Sequence, residues 1–161
     1  DFLTTLDTPV DYIVKDPRIS LLAPIWIEAA SRQNWDVRFV IVFREPGEVV
    51  RSYGRLVGLS PAHAADVWIR YNILAERQTR GFARAFLSYS RLLADWRSEI
   101  NAVSEQANLP INPDEAGIEN FLSKDLHRER SGGNDIGYIS DRLTQQYCAP
   151  LEARTLCAPS G

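Results

Sequence analysis

Three short segments hold the polar and cationic side chains best placed for chemistry: residues 15–18 (Lys-Asp-Pro-Arg), 44–52 (Arg44 to Ser52) and 88–90 (Ser-Tyr-Ser). Each begins where an apolar run stops. Residues 11–15 form a β-rich run closed by Pro17, residues 37–43 (Val-Arg-Phe-Val-Ile-Val-Phe) form the best strand of the chain, and residues 83–88 suggest a third. In open α/β sheets, ligands collect at the carboxyl ends of strands, beside helix N-termini. An arginine there presents a planar fork of N–H donors that matches phosphate or carboxylate. Sixteen of the 18 basic residues are arginine, a bias that fits anionic ligands and fits a GC-rich genome as well. No His/Cys/Asp cluster has metal-ligand spacing, and His63 falls in the first turn of a helix, away from the strand ends.

The elements that must carry these segments follow from periodicity and punctuation. A helix is expected over 20–32, with Leu21, Leu22, Ile25, Trp26 and Ala29 as its apolar residues. Pro46 opens a second helix running to Leu56, which Gly58 ends, and Ser60-Pro61 opens a third running to Thr79. A single helix is expected over 90–108, where Leu93, Trp96, Ile100, Val103 and Ala107 form a stripe at steps of three and four. Asn112-Pro113-Asp114 caps a last short helix ending near Leu122. The apolar run Phe39–Phe43 predicts a strand covered on both faces, as in a parallel sheet beneath helices. Alternating strands and helices of this kind predict a three-layer α/β domain with a mainly parallel sheet.

Composition bounds the remaining possibilities. A length of 161 residues suits one domain, and 45% hydrophobic with 24% charged residues excludes wholesale disorder and fibrous repeats. No apolar run approaches the roughly 20 residues that cross a bilayer, and a net charge of −3 argues against a general nucleic-acid binder. The chain contains no Met, so it reads as the processed or truncated C-terminal part of something longer. Residues 1–130 read as the α/β domain, and residues 131–161, which begin Ser-Gly-Gly, as a loosely structured extension. Cys148 and Cys157 read as reduced thiols of a cytoplasmic protein, although a disulfide between them is also open.

Taken in order, the motifs resemble those of sulfotransferases. Residues 40–55, with Arg44 at a strand end, Glu45-Pro46, and Ser52 eight residues after the arginine, resemble the family's 3′-phosphate-binding segment. Residues 13–18 resemble the strand end whose lysine reaches the transferring sulfuryl group, and residues 87–95 resemble the turn whose tyrosine lies by the adenine. Together with Trp68-x-x-Tyr71-Asn72, the pattern looks most like a bacterial branch often found beside glycosyltransferases. The resemblance implies a P-loop-type domain that uses 3′-phosphoadenosine 5′-phosphosulfate, without a metal, to sulfate a hydroxyl, on a glycan or glycolipid. It also implies Arg44, Ser52, Arg55 and Tyr89 as nucleotide ligands, with Arg128 and Arg130 in a basic loop near His127. Lys15 is the implied group at the transferring sulfuryl; Asp16 is the nearby carboxylate read as a base, and a base supplied by the absent N-terminal part stays open beside it.

Two departures from the family qualify this reading. The N-terminal strand and glycine-rich loop that cradle the 5′-phosphosulfate do not occur in residues 1–161, and Pro17 stands where the family commonly has a histidine base. The resemblance therefore predicts no turnover from these residues alone. A truncated or diverged relative that keeps the fold and binds at most the nucleotide product stays open beside the enzyme.

Overall fold

The computed structural model describes residues 11–122. These residues form a mixed α/β arrangement in the order α1 (Ile19–Arg32), β1 (Arg38–Phe43), α2 (Pro46–Val57), α3 (Pro61–Gln78), β2 (Ala83–Ser88), α4 (Tyr89–Ala94), α5 (Trp96–Gln106) and α6 (Glu115–Phe121). The two strands pair in parallel, with Arg38 opposite Ala83 and Phe43 opposite Ser88. Parallel neighbours require a crossover, which α2 and α3 supply. No helix among the described residues is long and apolar enough to cross a membrane. Arg128, Arg130, His127, both cysteines and the extension at 131–161 lie outside the described residues.

Local signals place most boundaries. Pro46 occupies the first turn of α2, and Gly58 closes that helix in the left-handed region at φ 71°, a conformation that costs other residues their Cβ clearance. The Ser60 side chain accepts from the His63 N–H at the start of α3, and the Asp114 side chain accepts from the Gly117 N–H at the start of α6. These caps satisfy backbone donors that have no intrahelical partner.

Strand residues facing each other in register share a face of the sheet. On one face Phe43 meets Trp68 of α3 edge to face, at 5.7 Å between centroids. On the other, Ala85 and Leu87 pack with Val103 and Ala107 at the α5 end of the chain. The strand ribbon thus has one helix against each side. The expected cover over both faces of β1 does not hold, however: Val42 is 59% exposed and Val40 40%. They share the face of Ala85 and Leu87, and α5 lies over β2 instead of over them.

Three further expectations are corrected. Residues 11–15 are not a strand: they have no pairing partner among the described residues, and Ile13 is 95% exposed. Tyr12 stacks on Trp35 at 5.6 Å, so a side-chain contact holds this segment in place of a hydrogen-bond ladder. β-rich composition alone forms no strand without a neighbour to pair with. The helix expected over 90–108 is two helices. Asp95 (φ −150°, ψ 85°) accepts from the Ser98 N–H through its carboxylate and starts α5 afresh, because a short acidic side chain competes with the helix for its own backbone. In α1 the residues fully buried are Ala23 and Ala30, whereas Leu21, Leu22 and Ile25 are exposed. α1 packs on α3, and small residues let the two axes approach closely.

Gly58 provides a test of the α2 terminus. A Cβ added there meets nothing within 4 Å, so Gly58→Ala should cost only the backbone strain of the left-handed region, about 1–2 kcal/mol. Gly58→Asn should cost less, since Asn tolerates that region better. Urea denaturation of the three proteins reads both; an unchanged midpoint for Gly58→Ala would mean that α2 does not end there.

Candidate functional site

The parallel register decides what meets at the carboxyl end of the sheet. Because Phe43 lies opposite Ser88, the next residues, Arg44 and Tyr89, emerge side by side. The Arg44 guanidinium carbon sits 4.6 Å from the centroid of the Tyr89 ring, a cation–π contact. Its Nε donates to Glu48 Oε2 at 3.0 Å, in the first turn of α2. Its carbonyl accepts from the Trp68 indole N–H at 3.0 Å. Trp68 in turn offers its own carbonyl to the Asn72 amide at 2.7 Å. Arg44 is therefore fixed through its backbone, its Nε and the face of its guanidinium. Neither Nη nitrogen has a hydrogen bond to a described residue, and the side chain keeps 30% of its surface exposed. The result is an oriented fork of N–H donors at a strand end.

The β2 side of the site is held by a second buried carboxylate. Glu99 of α5 accepts from the Ser88 N–H at 2.6 Å and from Arg91 Nε at 2.9 Å. The Ser88 hydroxyl caps α4 by accepting from the Arg91 N–H and lies 3.1 Å from the Ser90 hydroxyl. These bonds fix the turn on which Tyr89 stands. Neither Glu48 nor Glu99 was among the residues singled out from sequence. Both left a signal: Glu48 follows Arg44 by four residues, and Glu99 falls between Trp96 and Val103 on the buried stripe of α5. A glutamate on an apolar face implies a buried partner.

The other candidate residues are distributed unevenly. Ser52 is half-buried on α2, and Arg55 is exposed near the end of that helix with an intramolecular interaction of its own. Neither hydrogen-bonds to Arg44. Lys15 is exposed in an irregular segment. Asp16 is committed to Arg18: one carboxylate oxygen accepts from the Arg18 N–H at 2.8 Å, and the pair accepts from Nε at 3.0 Å and Nη2 at 2.5 Å. Hydrogen bonds from the Arg18 side chain, then from its backbone, hold the Asp16 pKa down at about 2. A carboxylate held that low is a weak base near neutral pH, and the role of base sits poorly on it. Among the described residues no group of three or more His, Cys, Asp or Glu side chains could hold a metal ion. Comparison of the chain with family models, with curated proteins and with solved structures gives no match.

Two measurements check this geometry. By NMR titration Asp16 should ionise at about 2, and Arg18→Ala should return it toward 3.8. Since the folded-state value lies below the free one, the contact favours the native state above that free value. Its contribution is lost as pH falls from 3.8 toward 2. An Asp16 titrating unshifted in the intact protein would mean that the Arg18 clamp does not form. For the second carboxylate, Glu99→Gln should lower stability by roughly 2–4 kcal/mol, because Arg91 loses its counter-charge and the Ser88 N–H its charged acceptor. Thermal unfolding of both proteins measures the difference.

Proposed function

We propose that this chain carries the 3′-phosphate and adenine half of a sulfotransferase nucleotide site, built on a P-loop-type three-layer α/β domain. The observation that carries the reading is the Arg44–Glu48–Tyr89 assembly at the adjoining carboxyl ends of two parallel strands. A phosphate dianion needs a fixed cation with several donors, and a bidentate arginine supplies both. Tyr89 supplies an aromatic surface beside that cation, which suits a nucleotide base attached to the same phosphate-bearing ribose. Ser52 and Arg55 extend the phosphate site along α2, Ser52 with a hydroxyl donor. The basic pair Arg128 and Arg130 completes the reading from outside the described residues.

In the reaction so proposed, the acceptor hydroxyl oxygen forms a bond to sulfur while the bond from sulfur to the 5′-phosphate oxygen breaks. The products are a sulfate ester and adenosine 3′,5′-bisphosphate, and the hydroxyl proton passes to a base. Lys15, exposed and cationic, suits the negative charge that builds on the departing oxygens. A glycan or glycolipid hydroxyl is the proposed acceptor. One observation favours the narrower reading, nucleotide binding without turnover: the carboxylate of Asp16, the candidate base, is already taken by Arg18. The described residues also contain no glycine-rich loop following a strand that would hold the 5′-phosphosulfate.

The test is nucleotide binding by calorimetry. The protein should bind adenosine 3′,5′-bisphosphate better than adenosine 5′-monophosphate. Arg44→Ala should weaken the bisphosphate about 10- to 100-fold, the worth of a charged hydrogen bond, and Ser52→Ala by less. Both losses should shrink for the monophosphate, which has no 3′-phosphate to lose. Equal weakening of the two ligands by Arg44→Ala would make the arginine structural and remove the basis of the reading.

A further inference from the structure

We infer that Glu48 is the positioning residue of the anion site: it sets the direction in which Arg44 presents its N–H fork, and so the preference for a 3′-phosphate. The inference rests on Arg44 as the phosphate ligand and assigns Glu48 a role that goes beyond that reading.

The first ground is burial. Glu48 has 2% of its surface exposed and, among the described residues, is the largest of the fully buried side chains. A buried carboxylate is costly unless paired and hydrogen-bonded. Glu48 meets that cost through Arg44 Nε at 3.0 Å and through a further interaction of its own. The second ground is direction. With Nε taken and one guanidinium face on Tyr89, the edge of Arg44 left to a ligand is the one formed by its two Nη nitrogens. The third ground is the sign of the charge. A carboxylate beside an anion site repels the anion, so a glutamate here opposes phosphate binding unless its geometric effect outweighs its charge. Fixing a long side chain before the ligand arrives removes ordering that binding would otherwise require.

Charge and geometry therefore predict opposite results when Glu48 is neutralised. If charge dominates, Glu48→Gln tightens nucleotide binding. If positioning dominates, it loosens it. In the full chain, we expect Glu48→Gln to weaken adenosine 3′,5′-bisphosphate roughly 5- to 30-fold while changing adenosine 5′-monophosphate by less than about twofold. Glu48→Asp keeps the charge but draws the carboxylate back by one methylene, and should weaken the bisphosphate at least as much. In an Arg44→Ala background, Glu48→Gln should add little, since the two residues act as one unit. Unchanged or tighter bisphosphate binding by Glu48→Gln overturns the inference. Near-ultraviolet circular dichroism establishes that each variant is folded; if Glu48→Gln is not, the Glu48→Asp measurement decides by the same criterion.

A second readout separates this inference from the nucleotide reading. In the wild-type protein without ligand, the Arg44 Nε–H should give an NMR signal that exchanges slowly with water, because its proton is held by a buried carboxylate. Glu48→Asp should speed that exchange. An unchanged rate overturns the positioning role even if the nucleotide binds as proposed. A protein with the expected exchange behaviour but no preference for the bisphosphate overturns the phosphate reading and leaves Glu48 as the residue that orients Arg44.

Discussion

The parallel register between β1 and β2 is the constraint on which the site depends. It sets Phe43 against Ser88, and the contact of Arg44 with Tyr89, the residue that follows the second strand, depends on that one alignment. Because paired residues share a face, a shift of one residue would bring Arg44 level with a neighbour of Tyr89 on the opposite face. The guanidinium would then lose its aromatic support. Phe43 also packs against Trp68 of α3, whose indole N–H reaches the Arg44 carbonyl. Core packing and site geometry thus meet at the end of one strand.

Two buried glutamates tie this end of the sheet to the helices that follow. Glu48 joins β1 to α2 through Arg44, and Glu99 joins the end of β2 to α5 through the Ser88 N–H and Arg91. Neither could be replaced by an apolar residue without leaving its arginine unmatched. Buried ion pairs contribute little net stability against a well-packed apolar alternative. Their value here is in direction: each fixes one orientation of a polar group that hydrophobic packing alone would leave free.

Salt bridges elsewhere carry much less. Arg32–Glu28 and Arg97 with Glu115 and Glu119 join exposed partners, where solvent and salt screen the attraction. The Asp16–Arg18 clamp is also near the surface, yet it has a chemical consequence, since it occupies the carboxylate that the sequence motif offers as a base. The contrast with Glu48 is one of burial. An exposed pair changes the availability of a group, whereas a buried one changes its geometry.

Elements whose signals are local were legible along the chain. Pro46 and Gly58 bound α2, Ser60 caps α3, and the apolar run before Arg44 forms β1, because each signal acts within a few residues of the backbone it shapes. The spacing of Arg44, Ser52 and Tyr89 was likewise legible. Tertiary structure decided what depends on neighbours distant in the chain. Residues 11–15 have strand-forming side chains but no strand to pair with among the described residues, and Asp95 splits a helix whose apolar stripe runs through it. Val40 and Val42 stay exposed because α5 packs over β2. The sequence likewise places Glu48 and Glu99 on helical faces, but only the packed fold shows that Arg44 and Arg91 meet them there. Burial and charge pairing are properties of surfaces brought together, and no window along the chain contains both surfaces.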